Sequence, residues 1–190
     1  MTLRHFLLTA DELIPNEAEL AARLRIPRGE TAPEADAAAK QLAEAVSPAC
    51  TVAFAECDSA LSELLGIKGG EFEKCKHIAL FSVTLGYGAD RVIAAAKRIG
   101  SAAAFVTDAV ASAMTEAAAD AAEAHLRALT PQINWGRRKS PGYGRLPLSL
   151  QSPLLQLTRA SQYLGVTLTE SNLMIPTKSI TAILGGNDEA

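Results

Sequence analysis

Along the 190-residue chain, apolar positions recur first at helical and then at strand spacing. Asn16 to Leu24 (NEAELAARL) reads as a short helix closed by Pro27 and Gly29. Pro33 to Val46 (PEADAAAKQLAEAV) reads as a second, with proline in its first turn and alanine and leucine along one side. Thr51 to Cys57 (TVAFAEC) reads as a strand, and Leu61 to Leu65 suits a helical turn or two before Gly66. His77 to Leu85 (HIALFSVTL) is apolar and β-branched between a charged Lys-Cys-Lys and Gly86, which predicts a central strand.

Ala89 to Ile99 predicts a helix ended by Gly100, and a long helix follows from about Ala102 to Leu129. At about 100° per residue, Asp108, Ser112, Glu116, Asp120, Glu123 and Arg127 share one face of it. Val110, Ala113, Met114, Ala117, Ala118 and Ala121 form the other, and side chains this small let a neighbouring element approach closely. After Pro131 the texture changes. Gly136 to Pro147 (GRRKSPGYGRLP) is loop, and Ser149 to Ser161 reads as a helix. Val166 to Leu184 reads as short strands punctuated by Pro176 and by Gly185-Gly186. Helices mixed with a mostly antiparallel sheet, without strict βαβ alternation, predict an α+β fold.

Composition sharpens this picture in one respect. Of 36 alanines, 33 lie before residue 130, so helical scaffold and loop-and-strand chemistry are segregated along the chain. The formal charge of −3 supplies no general drive toward nucleic acid, and no run of 18 apolar residues is available to span a membrane. Asp11 and Glu12 interrupt the N-terminal apolar run before a secretory leader can form. Cys50, Cys57 and Cys75, at gaps of 7 and 18, match no zinc or redox motif and read as reduced thiols. The histidines, at 5, 77 and 125, are scattered singly, so no metal site is expected. The cytoplasm is the expected compartment.

Gly86-Tyr-Gly88-Ala-Asp-Arg91 follows a strand and opens a helix, but Arg91 stands where a dinucleotide fingerprint needs its third glycine. A turn into a helix accounts for it. Arg137-Arg138-Lys139-Ser140-Pro141-Gly142-Tyr143-Gly144 is denser in chemistry. Its cations precede a Pro-Gly turn whose glycine can take positive φ and expose backbone N–H groups. A guanidinium suits a carboxylate, and Tyr143 offers a stacking face and a hydroxyl, so a small acid with a flat ring fits. A solvated basic turn anchored by Tyr143 fits equally. Glu116 reads by default as solvated surface, and otherwise as a carboxylate accepting hydroxyls. Glu170 is placed at a strand end pointing outward, and Lys178 in a solvated turn. No GxSxG elbow surrounds Ser140.

At these residues a family resemblance emerges. Arg138-x-Ser140-Pro-Gly-Tyr143, then Leu168-Thr-Glu-Ser171-x-x-Met174-x-Pro-x-x-Ser179, resembles the activation domain of cobalamin-dependent methionine synthase. Ile78-x-x-Phe81-x-Val83-Thr84-x-Gly86 and Asp108-Ala-x-Ala-x-x-x-x-Glu116 are similar to that domain's internal strand and long helix, in the same order. The resemblance implies a curved, mostly antiparallel sheet flanked by helices, with S-adenosylmethionine bound in a cleft on it. Arg138 would then pair with the methionine carboxylate and Glu116 hold a ribose hydroxyl. The backbones of Ser140, Pro141 and Gly142 would line the ligand, and Tyr143 would pack on it.

Read this way, residues 1–48 form an N-terminal helical segment, 49–186 the core like the activation domain, and 187–190 a tail. The family's N-terminal aspartate contact has no matching segment, and a ligand-contacting tyrosine beyond the last strand is missing. The expectation is a short, free-standing relative whose cleft is partly open or completed by a partner. The implied function is reductive reactivation: an electron donor such as flavodoxin reduces an oxidised corrinoid on the partner, a methionine synthase or related methyltransferase. S-adenosylmethionine then remethylates it. The corrinoid is the nucleophile, so the module needs no catalytic side chain and orients the methyl donor. Two rival readings stay open. One is a module of the same fold that holds a corrinoid protein without S-adenosylmethionine. The other is an independent methyltransferase using Glu116 or Glu170 as base.

Overall fold

The computed structural model describes every residue except Arg28, Thr31, Lys68, Gly69, Glu71 and Ala190, so the end of the expected tail lies outside the described residues. Its strands are β1 (Thr2–Leu7), β2 (Ala49–Glu56), β3 (His77–Thr84), β4 (Ile133–Trp135), β5 (Thr167–Leu168), β6 (Met174–Ile175) and β7 (Ser179–Asp188). Its α-helices are α1 (Glu17–Leu24), α2 (Pro33–Ala45), α3 (Ser59–Leu64), α4 (Tyr87–Ile99), α5 (Ser101–Leu129), α6 (Gln151–Leu157) and α7 (Ala160–Leu164). Five strands pair antiparallel in the order β1-β2-β3-β7-β4, and β5-β6 make a separate hairpin. This is the α+β architecture that the order of elements predicts.

Period-two alternation assigns the layers. Cys50, Val52, Ala79, Phe81, Val83, Ala182 and Leu184 point to one face, into a core shared with α1, α2, α4 and α5. Ile78, Leu80 and Ile183 point to the other, under Leu150 and Leu154 and beside Leu65 and Phe72. The long helix lies across the first face with Ala111, Ala113, Ala118, Ala119 and Ala122 fully buried. Its buried surface is broader than one stripe, taking in Thr107, Thr115 and Leu126, because α1, α2 and α4 pack on it as well as the sheet. Ala117 and Ala121, expected inside, are only half-buried at the margin.

Local chemistry explains the helix starts. Asn16 accepts hydrogen bonds from the Ala18 and Glu19 amides at the head of α1, Pro33 opens α2, and Asp58 caps α3 through the Leu61 amide. Gly86 precedes α4 at φ +76°, a conformation that favours glycine. A Cβ on Gly88 would collide with the Ala45 carbonyl at the end of α2. The second glycine of that motif therefore serves close packing of helices.

Four features depart from the sequence expectation. The N-terminal hexapeptide forms β1, an edge strand half open to solvent whose weak alternation hides it; it pairs along its length with β2. The three-residue β4 is too short to carry a periodic signal. The helix expected over 149–161 breaks at Arg159, which adopts φ +51°. Beside that break the Thr158 hydroxyl donates to the Leu154 carbonyl and meets the Ser82 hydroxyl at 2.7 Å. Finally, β7 runs straight through Gly185 and Gly186. A Cβ on the first would strike Cys75 Sγ, and one on the second would lie 2.6 Å from the Trp135 ring, so both admit neighbours and leave the strand unbroken.

Candidate functional site

The basic segment enters the site along the outer edge of β7. Gly136 donates its N–H to the Gly185 carbonyl at 2.9 Å, and Lys139 exchanges two backbone bonds with Ile183 at 2.9 and 2.8 Å. Three steps on one strand thus oppose two on the other. The extra residue is a β-bulge at Arg137-Arg138, a device that re-aims side chains. It delivers Arg138 onto α5. Arg127, in the last turn of α5, fastens the start of the bulge. Its Nη1 donates to the Trp135 carbonyl at 3.1 Å and its Nη2 to the Gly136 carbonyl at 3.2 Å, while Nε and Nη2 hold Glu123.

Glu116 and Arg138, 22 positions apart, are brought together: Arg138 Nη2 donates to Glu116 Oε2 at 3.0 Å. Arg138 Nη1 donates to Asp120 and, at 3.4 Å, to Glu123. Arg23 of α1 closes the group, 3.7 Å from Glu116 and bonded to Glu19. The carboxylates of Glu19, Glu116, Asp120 and Glu123 thus face the guanidiniums of Arg23, Arg127 and Arg138. Four negative charges against three positive leave the cluster at −1. Burial works against the Arg138 charge, but the ion pairs with Asp120 and Glu116 outweigh it and raise its pKa above the ordinary arginine value.

Past Arg138 the chain turns tightly. Gly142 takes φ +89°, as a Pro-Gly turn allows, and its N–H donates to the Leu146 carbonyl at 2.8 Å, so the group expected to be exposed is engaged in the turn. Pro141 is buried and Ser140 half-buried. Tyr143 is 77 % exposed, so it anchors nothing in the fold and presents its ring to solvent. Arg138, Lys139, Ser140, Tyr143, Gly144 and Arg145 line a cleft of about 360 Å³.

The second motif builds scaffold. The Ser179 hydroxyl, buried, donates to the Pro176 carbonyl and meets the Thr84 hydroxyl, each at 2.8 Å, and holds the start of β7 against β3. Thr177 binds Asp90 through its N–H and its hydroxyl. Lys178, expected in a solvated turn, is 12 % exposed and donates to Asp108 and Ser112 of α5 at 2.9 Å each. Glu170 is exposed at the turn of the β5-β6 hairpin, as its placement at a strand end predicts. The sequence pattern places Asp120 and Glu123 on a polar face without singling them out, and the structure adds both to the group around Arg138. The available signal was their position four and seven residues after Glu116, on one helical stripe.

The fold defines a class, an α+β domain of the methionine synthase reactivation type. A crystal structure of the MetH reactivation domain bound to AdoHcy matches this chain with a TM-score of 0.74 at 15 % identity, covering 100 % of this chain and 80 % of that one. The family follows from the sequence itself: residues 56–190 match the model described as vitamin B12 dependent methionine synthase, activation domain. The chain belongs to that family. No curated protein matches it. No helix among the described residues is long and apolar enough to cross a membrane.

Proposed function

We propose that this protein binds S-adenosylmethionine in the Arg138–Arg145 cleft and presents it for reductive remethylation of a corrinoid on a cobalamin-dependent methionine synthase or related methyltransferase. The observation that carries the reading is the meeting of Glu116 with Arg138 beside a cleft whose wall holds an exposed tyrosine. Family membership and the AdoHcy-bound reactivation domain of the same fold support it.

The donor set fits the ligand. S-adenosylmethionine carries one carboxylate, one ammonium and one sulfonium; Arg138 in the cleft wall suits the first, and the carboxylate of Glu116 beside it suits a hydroxyl or a cation. The cleft volume of about 360 Å³ falls in the range of roughly 300–1,000 Å³ usual for small-molecule sites. When bound, the sulfonium supplies an activated methyl group. Arg138 would orient the amino-acid end through its carboxylate and Glu116 would accept from a ribose hydroxyl. Tyr143 would cover the ligand on the solvent side, where a corrinoid protein must dock. An electron donor such as flavodoxin would supply the reduction. The contribution of this chain is proximity and orientation.

Calorimetric titration with S-adenosylmethionine tests the reading. Binding by the wild-type chain is expected, and Arg138→Ala should weaken it by roughly 10- to 100-fold, the loss of a charge-assisted pair. Absence of binding, both alone and with a corrinoid protein present, would overturn it.

A further inference from the structure

A second cleft, of about 430 Å³, lies where α6 gives way to α7, on the sheet face opposite α5, and shares no lining residue with the one around Arg138. The break at Arg159 shapes it. Ser152, Gln156 and Arg159 fall on one helical stripe, and the left-handed turn at Arg159 (φ +51°) then redirects the chain, so that Gln162 of α7 and Thr167 of β5 line the other side. Arg25, also at positive φ, ends α1, and Asn172 turns the β5-β6 hairpin, whereas Arg159 interrupts a segment that reads as continuous helix. Its carbonyl accepts from the Gln162 and Tyr163 amides, each at 3.1 Å, which fixes the redirected chain. No carboxylate lines the cleft. Among the described residues the Arg159 guanidinium makes no ion pair and no hydrogen bond, whereas Arg23, Arg127 and Arg138 are all paired.

We infer that this cleft binds a small organic oxyanion, with its phosphate or carboxylate on Arg159 and its carbon body against Leu155 and Leu168. Charge and donor chemistry carry the assignment. A guanidinium presents paired N–H donors that match either oxyanion at two points. The amides of Gln156 and Gln162 and the hydroxyls of Ser152 and Thr167 add neutral donors, and none of them brings a negative charge. A cation set among neutral donors, with no carboxylate beside it, selects an anion over a cation or a zwitterion. The volume falls in the range of roughly 300–1,000 Å³ usual for small organic ligands, more than an inorganic ion fills, and the two leucines give the remainder an apolar wall. Because the two clefts have no lining residue in common, this assignment is independent of the S-adenosyl reading.

The test is an amide-resolved NMR titration of the intact chain with phenyl phosphate, benzoate and inorganic phosphate. At least one of the two organic anions should saturably shift the Gln156 and Gln162 side-chain amides and the backbone amides from Thr158 to Thr167. It should bind about tenfold or more tighter than inorganic phosphate, and the tighter of the two tells a phosphate site from a carboxylate site. Arg159→Gly removes the charge with a residue that takes positive φ freely, so binding should weaken by about tenfold or more while the urea midpoint holds or rises. Arg159→Asn, which also tolerates the left-handed region, should lose binding to the same extent and covers the case in which the glycine variant folds poorly. Absence of a saturable shift with either organic anion overturns the assignment. So does undiminished binding in both variants, or inorganic phosphate binding as tightly as the organic anions. Shifts centred on Arg138–Arg145 instead would also overturn it.

Discussion

Arg127 touches no part of the cleft, yet the geometry makes it the residue that aims Arg138. Replacing it with methionine keeps much of the apolar stem and removes one ion pair to Glu123 and two hydrogen bonds to the Trp135 and Gly136 carbonyls. The side chain is 42 % exposed, so the ion pair deserves the discount of a surface pair, about 0.2–1 kcal/mol. Each charge-assisted bond to a carbonyl, at about 1.5–3 kcal/mol when buried, counts here for less than 1 kcal/mol. The expected loss of stability is therefore about 1–2 kcal/mol, read as a lower urea midpoint at unchanged slope. Binding should suffer separately. The bulge stays pinned at Gly136 and Lys139, but the side of it facing α5 is released, so S-adenosylhomocysteine affinity should fall by roughly 3- to 10-fold, the scale of a misplaced orienting group. Arg127→Lys should recover less than half of either effect, because a point charge cannot span a carboxylate and two carbonyls as a planar fork does. A methionine variant with wild-type stability and wild-type affinity would refute the argument.

Two other outcomes follow from packing and charge. Gly185→Ala places a Cβ against Cys75 Sγ and 2.9 Å from the Phe72 ring, and should destabilise the fold by about 1–3 kcal/mol in urea titration; adding Cys75→Ala should restore part of that loss. Glu12 has its pKa lowered from 4.5, first by the Thr9 amide and further by His125 at 2.7 Å. A depressed carboxylate contributes stability that is complete above the unfolded value and fades as pH falls from 4.5 through the lower folded value. The urea midpoint of wild type should accordingly drop more between pH 5 and pH 3 than that of Glu12→Gln, the pH span being set by about two units around that carboxylate.

Much of this molecule was legible in the sequence because it is local. The period of the long helix sorts Glu116, Asp120 and Glu123 onto one polar stripe and Val110, Ala113, Met114 and Ala118 inward, and the Pro-Gly turn after Arg138 declares itself in its residue types. The apolar run at His77–Thr84 announced the central strand because it is buried on both faces. What could not be read was anything set by pairing between distant segments. Strand β1 is half-exposed and β4 is three residues long, so both exist only because a longer neighbour offers an edge. The glycines of β7 read as breaks because the side chains they admit, Cys75 and Trp135, come from elsewhere in the chain.

The same division runs through the site. Sequence alone determined that a guanidinium, a turn and a stripe of carboxylates were present. The register of the 136–139 segment against β7 decided that they meet, since one extra residue in that segment turns Arg138 toward α5. How firmly each carboxylate is held was likewise a tertiary decision. Asp120 and Glu123 are alike in one dimension, and only the placement of Arg127 ties down the second and leaves the first exposed. Charges interact through distances in space, and those distances are fixed by strand register and helix packing that no local pattern contains.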